Sequence, residues 1–516
     1  MSTLANTTDT LTRDALAVLQ PGFTGTTPPD WLLRRIGEGL ASVGLFGRNV
    51  DSPEQLAALT ARLRAERDDI LVAIDEESGD VTRLEVKDGS SFPGNYALGA
   101  IDDTDLTREV AHELGRRLAA CGVTLNWAPS ADVNSDPANP VIGVRSFGAG
   151  PDLVARHTAA YVEGLQSAGV AACTKHFPGH GDTSVDSHLL MPRIDVDLDT
   201  VHARELLPFR AAIAAGSKSV MSAHILLPAL DPDHPATLSP RILTGLLRGE
   251  LGFDGLIVTD GMEMRAIAST YGIERGSVLA LAAGADAICV GGGLADEEIV
   301  LRLRDALVTA VRTGELPEER LADAAARVRA LADWTRHGRG AAEPGAASQE
   351  GTAPGSAIGL LAARRAVRVT GRGRPLTEAP YVATFSPEAN IAVGDETPWG
   401  VGAALARLLP GTETGAYGGS DGPDGVNGTH GAAAELAGRV LEAAGGRTVV
   451  AVVRDSHRHA WMSDALDALL AARPGTVVVE MGVNEAEPRG ALHIATHGAA
   501  RVCGQAAAEA ITGRRD

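Results

Sequence analysis

The chain has 516 residues, room for two to four domains at about 150 residues each, and its 44% hydrophobic and 22% charged content is that of an ordinary globular protein. Its 46 Lys and Arg face 66 Asp and Glu, a formal charge of -20 that repels phosphate backbones and anionic lipid and excludes a broad nucleic-acid or membrane-surface role. Aromatic residues make up only 3%, too few for platforms on which bases or successive sugar rings stack.

From the N-terminus, MSTLANTTDTLTRDALAVL lacks the basic region and apolar stretch of a signal peptide, and no run reaches the ~18 apolar residues of a membrane span. Cys121, Cys173, Cys289 and Cys503 are scattered without CxxC spacing and read as small buried apolar residues. The expectation is a cytoplasmic enzyme. Short β-branched runs follow at Ala17–Pro21, Val43–Phe46, Ile70–Asp75, Leu125–Ala131, Ala171–His176, Ser219–Ile225, Gly255–Asp260 and Asp286–Val290. Helical patterns lie between them, such as Leu106, Val110, Leu114, Leu118 and Cys121 at spacings of three and four. Another helix is predicted after the last run, through Leu321, Ala325, Val328 and Leu331, with Pro317 and acids at its start. Eight strands alternating with helices predict an α/β protein built on a (β/α)8 TIM barrel rather than an open doubly wound sheet.

Composition changes after Trp334. Residues 338–356 are Gly/Ala/Pro/Ser-rich without an apolar period and read as a flexible linker. Beyond it, runs at Ala366–Val369, Tyr381–Phe385, Thr448–Arg454 and Thr476–Met481, with a helical pattern through Trp461, Leu466, Leu469 and Leu470, predict a smaller α/β sandwich domain with a parallel sheet. The expected division is a barrel over 1–337, a linker over 338–356 and a second domain over 357–516. The stretch Gly411–Gly431 reads as a long Gly-rich loop.

Active sites in such barrels form at the C-terminal ends of the strands. Reactive residue types collect there: Asp75 at the end of the third strand, Arg145 in the loop after the fourth, Lys175 and His176 at the end of the fifth, His224 at that of the sixth and Asp260 at that of the seventh. Taken alone, Asp260 reads equally well as the N-cap of the next helix. The densest segment is Lys175-His176-Phe177-Pro178-Gly179-His180-Gly181-Asp182-Thr183-Ser184-Val185-Asp186-Ser187-His188, whose Pro and Gly make it a loop. Its three His and two Asp are conceivable zinc ligands. However, Pro178 and Gly179 break the helix that an i, i+4 His pair needs, and no His-Glu-x-x-His pattern is present, so no metal is expected. His180 and Asp182 read as hydrogen-bonding residues of the loop itself. In Asp186-Ser187-His188, residues two apart on an extended segment point the same way, so the carboxylate can hold one ring nitrogen and raise the basicity of the other. Such a dyad supplies an acid/base, and Asp260 across the barrel mouth supplies a nucleophile. That pair meets the requirement of retaining glycoside hydrolysis, with His replacing the usual second carboxylate.

The segment KHFPGHGDTSVDSH resembles the signature of the β-N-acetylhexosaminidase subgroup of glycoside hydrolase family 3. The resemblance runs from about Val18 to Leu331 and includes WAPSADVNSDPANPVIGVRSFG, MSAHILLPALDPDHPATLSPRILTGLLRGELGFDGLIVTDGMEM, and the PGF and LFGRN segments. It implies Asp260 as nucleophile, His188 as acid/base and Asp186 as the residue orienting it. It also implies that Asp75, Arg83, Arg145, Lys175 and His176 bind a terminal N-acetylglucosamine. No cofactor is implied. The implied substrate is a small muropeptide or chitin-type oligosaccharide, with phosphate as a competing acceptor that would make the reaction a phosphorolysis. The same residues also fit a β-glucosidase or, with less support, a non-catalytic sugar-binding protein. Two positions depart from the pattern: Glu77-Ser78-Gly79-Asp80 stands where the family carries Glu-Gly-Gly-Arg, inverting a charge beside the sugar residues, and Gly261 follows the nucleophile where an acid is common. The C-terminal part is similar to the second α/β domain of longer members.

Overall fold

A computed structural model of the chain describes residues 2–183, 191–341, 356–387, 393–394, 396–418 and 430–515. All eight expected strands of the first part are present: β1 Leu19–Pro21, β2 Ser42–Leu45, β3 Leu71–Ile74, β4 Leu125–Asn126, β5 Ala171–Phe177, β6 Ser219–Ser222, β7 Leu256–Thr259 and β8 Ile288–Val290. Strands β2 to β7 pair in sequence order, all parallel, and β8 pairs with β1. A parallel bridge between Val258 and Ala287 joins β7 to the start of β8, and β1 lies beside β2, which closes the circle. Every strand residue is buried, because helices cover the outside while side chains fill the inside. That is why runs such as LVAI and LIVT are continuously apolar. The sequence reading makes several strands longer than they are. Leu125–Ala131 pairs regularly only over Leu125–Asn126, since the Pro129 that follows lacks an N–H.

The predicted helix around Val110 spans Thr104–Ala120 and buries Leu106, Val110, Leu114 and Leu118. The one after β8 and a further helix runs Glu318–Ala341, buries Leu321, Ala325, Val328 and Leu331, and so continues past residue 337. Of the expected linker, residues 342–355 lie outside the described residues. At the N-terminal ends of the strands, buried Asp286 receives Arg320 at 2.6 Å, also Arg248, and the Ile257 N–H at 2.8 Å, tying β7 to the approach to β8.

The remaining strands are β9 Arg368–Gly371, β10 Tyr381–Ser386, β11 Glu413–Gly418, β12 Val449–Val453, β13 Val477–Glu480 and β14 Leu492–Ala495. Their order is β11-β10-β12-β13-β14-β9. Period-2 alternation divides their side chains between two cores. Val450, Val452, Val477, Val479 and Ile494 pack with Val502, Ala506 and Ile511 of helix Arg501–Thr512. Ala451, Val453 and Val478 pack with Val440, Met462, Leu466 and Leu469 of helices on the opposite face. This is an α/β sandwich. Two expectations are corrected. The sheet is mixed, since β9 runs antiparallel to β14, and Glu413–Gly418, expected as loop, is an edge strand beside β10. The rest of that stretch, 419–429, lies outside the described residues.

Among the described residues, those of Met1–Glu77, Thr104–Ile142 and Ala149–Ala353 form one compact unit, and those of Ser78–Asp103, Gly143–Gly148 and Pro354–Asp516 form a second. Two short excursions from the barrel sequence therefore belong to the same unit as the C-terminal part, which a linear division at 337 and 357 does not include. No described helix is long and apolar enough to cross a membrane.

Candidate active site

Strand β5 is buried along its whole length, so its lysine and histidine have to be paired. Lys175 Nζ lies 2.5 Å from Asp75 Oδ1, just past the end of β3, and 2.6 Å from Glu77 Oε1. Lys175 and Glu77 are each 3% exposed in the side chain, whereas Asp75 is 24% exposed. One buried ammonium thus orients two carboxylates, and the more open one retains surface for a ligand hydroxyl.

His176 is held by Asp132. Oδ2 of Asp132 accepts from His176 Nδ1 at 2.7 Å and Ser130 Oγ at 2.9 Å, and Oδ1 accepts the backbone N–H groups of His176 at 3.2 Å and His180 at 2.7 Å. Complete burial by itself raises a carboxyl, but the His176 ring and these donors outweigh it and hold Asp132 at about 2. The ionised carboxylate makes Nδ1 the protonated nitrogen of His176 and leaves Nε2 as the ring's other polar atom.

His180 and Asp182 brace the loop, as their sequence context suggests. His180 Nδ1 pairs with Thr183 Oγ1 at 2.8 Å, and burial, with His176 beside it, pushes the ring down to about 4. Asp182 pairs with Arg204 at 2.6 Å. A Cβ on Gly181 would lie 1.7 Å from the Val133 carbonyl oxygen, so only glycine fits there.

Asp260 ends β7. Its N–H donates to Ser222 O at 3.1 Å on β6, and its Oδ1 accepts from Gly261 N at 2.8 Å. The Gly261 carbonyl in turn accepts from His224 Nε2 at 3.0 Å, while His224 Nδ1 meets Thr237 Oγ1 at 2.9 Å. His224 therefore fixes the turn that carries Asp260. The next acid, Glu263, is taken up by backbone: its Oε1 accepts from Gly291 N at 2.8 Å, Gly293 N at 3.3 Å and Gly292 N. Asp260 remains partly exposed. All four cysteines are free and buried, and burial pushes the Cys173 thiol up to about 12, so it is no nucleophile at neutral pH.

The structure brings Asp75, Lys175, His176 and Asp260 to the C-terminal ends of β3, β5 and β7 of the barrel. Asp186 and His188 lie outside the described residues. Arg83 and Arg145 belong to the second compact unit. Arg145 is buried and ends a short turn, Gly143–Arg145, whose last carbonyl accepts from Asn95 Nδ2 at 2.7 Å; Arg83 is half-buried. Sequence reasoning missed the roles of Glu77 and Asp132. Asp132 stands in a segment quoted for the resemblance and Glu77 in one quoted as departing from it, but nothing local says which ring or cation each one faces.

The model of the Glycosyl hydrolase family 3 N terminal domain matches residues 36–331. Beta-hexosaminidase A of Pseudoalteromonas piscicida is 36% identical over 333 residues, 59% of this chain, and the chain spans 55% of that protein's length. A beta-hexosaminidase of Stenotrophomonas maltophilia (strain K279a) is 39% identical over 272 residues, covering 51% of this chain and 78% of the relative. The solved structure of a glycoside hydrolase family 3 beta-N-acetylglucosaminidase from Paenibacillus sp. str. FPU-7 is similar at a TM-score of 0.83 and 33% identity, covering 98% of this chain and 97% of that one. With more than half its length matched by that domain and its barrel ending in the expected residues, the chain belongs to glycosyl hydrolase family 3.

Proposed function

We propose that this chain is a retaining exo-β-N-acetylglucosaminidase. It removes a terminal non-reducing β-linked N-acetylglucosamine from muropeptide or chitin-type oligosaccharides in the cytoplasm, in peptidoglycan turnover. One observation carries the reading: a partly exposed Asp260, its turn locked by His224, stands at the same barrel end as the Lys175–Asp75–Glu77 and His176–Asp132 pairs. A nucleophile has to be held rigidly yet reach its substrate, and the sugar hydroxyls need donors and acceptors that do not reorient.

In the first step, Asp260 forms a bond to the anomeric carbon as the glycosidic bond breaks, and His188, oriented by Asp186, protonates the departing oxygen. In the second, His188 takes a proton from water, whose oxygen displaces Asp260 and releases the sugar. Asp75, Arg83, Arg145, Lys175 and His176 bind the sugar, and hydrogen bonds to its hydroxyls that tighten in the oxocarbenium-like transition state contribute several kcal/mol, on the order found for such enzymes. No cofactor takes part. The test is trapping with a 2-fluoro sugar followed by peptide mapping. A glycosyl label on Asp260 is expected, and a folded protein unlabelled there overturns the mechanism. Product analysis on N-acetylglucosaminyl-anhydromuramic fragments and chitobiose, with and without phosphate, identifies the acceptor; a sugar 1-phosphate product would make the enzyme a phosphorylase.

A further inference from the structure

The second compact unit contains the segment Ser78–Asp103, and with it Arg83. Two carboxylates flank this arginine closely, and each is held by an arginine from the C-terminal part of the same unit. Asp80, three residues before Arg83, is buried; its Oδ2 lies 2.5 Å from Arg454 Nη2, and its Oδ1 accepts from Ala499 N at 2.7 Å. Glu85, two residues after Arg83, accepts from the N–H and hydroxyl of Ser91 at 2.8 and 2.7 Å through Oε2, and its Oε1 lies 3.1 Å from Arg501 Nη2. Arg501 Nε also donates to Gly89 O at 3.1 Å. The packing behind the segment is equally close: a Cβ on Gly359 would lie 1.9 Å from the Ser91 carbonyl oxygen.

We infer that Arg454 and Arg501 are positioning residues for Arg83, gripping the chain on both sides of it through Asp80 and Glu85. The inference rests on the proposed role of Arg83 as a sugar ligand. A long flexible side chain makes a directional bond to a substrate only if its backbone is held, and a displacement of about 1 Å can cost on the order of 100-fold in rate. The departure at Asp80 also acquires a reason. The acid there is matched by a cation from Arg454 within its own unit, so the inverted charge is neutralised in place.

The test is a mutational cycle with kcat and KM measured on an aryl β-N-acetylglucosaminide. Removing both partners of each pair, as D80N/R454Q and E85Q/R501Q, leaves no unpaired buried charge, and thermal unfolding verifies folding. In the wild-type background each double substitution is expected to lower kcat/KM by about tenfold, with R454K and R501K restoring part of the loss where only the arginine is changed. In an R83A background the same substitutions are expected to change kcat/KM less than twofold, because the group they position is gone. Equal losses in both backgrounds, or no loss in the wild-type background, overturn the inference. If R83A itself leaves kcat/KM unchanged, the assignment of Arg83 as a ligand fails, and the positioning role falls with it. Loss of labelling at Asp260 in a folded wild-type enzyme is a separate outcome that refutes the hydrolase mechanism.

Discussion

Asp132 and His176, 44 residues apart in the chain, meet at 2.7 Å in the interior of the barrel, where the carboxylate accepts from Nδ1 and is held at about 2. The pair does for His176 what a sequence-adjacent carboxylate is proposed to do for His188: it selects a tautomer and fixes a ring plane.

Substitution of Asp132 tests that pair. D132N keeps the shape but replaces an acceptor with a donor facing Nδ1 of His176, and kcat/KM should fall by about 10- to 100-fold, chiefly through KM. Stability should respond to pH as well. A carboxyl depressed from ~3.9 in the unfolded chain contributes stability above that value and loses it as pH falls toward the folded value of about 2. Urea unfolding of both proteins between pH 2 and pH 6 should show the wild-type advantage shrinking below about pH 4. A constant difference would refute the linkage.

Glu205 behaves in the opposite sense. Burial raises its carboxyl to about 7 in spite of Arg204 at 2.6 Å, and among the described residues its Oε2 has no hydrogen-bond partner. A raised carboxyl contributes stability that is complete below the unfolded value near ~4.3 and is lost as pH rises through about 7. E205Q should therefore unfold with less pH dependence than wild type between pH 5 and pH 8, and gain on it by roughly 1–3 kcal/mol at the upper end. Matched slopes across that range would show that Glu205 is ionised throughout.

The proposed acid catalysis by His188 makes a prediction about leaving groups. A poor leaving group needs its proton and an activated aryl one does not, so H188A should slow alkyl or sugar leaving groups by about 100-fold or more and activated aryl glycosides by far less. Comparable losses on both substrates would contradict the role.

Asp286 lies at the opposite end of the strands and should affect stability without touching chemistry. D286N leaves Arg248 and Arg320 partly buried against a neutral side chain, and about 2–4 kcal/mol of unfolding free energy should be lost. The kcat of the folded fraction should stay within about twofold of wild type. A large fall in kcat with unchanged stability would reverse this division between the two barrel ends.

The barrel was legible because its signals are local. Strands buried on both faces have to be continuous apolar runs, and helices between them have to show a 3.6 period, so LVAI, LIVT and the Leu106–Leu118 pattern announce themselves. The C-terminal sheet was only partly legible. Glu413–Gly418 is a mostly exposed edge strand with two glycines, and Leu492–Ala495 has four residues, too few to display a period.

By itself, the sequence determined the barrel and the reactive residues at its strand ends, because period, turn residues and motif spacing are properties of neighbouring positions. Only the tertiary structure decided which charges meet: Lys175 with Asp75 and Glu77, His176 with Asp132, and Asp80 with Arg454. It also decided that Arg83 and Arg145 belong to the C-terminal unit. Burial makes an unpaired charge costly, so each ionisable group takes whichever partner the fold brings within reach, and that partner can lie hundreds of positions away.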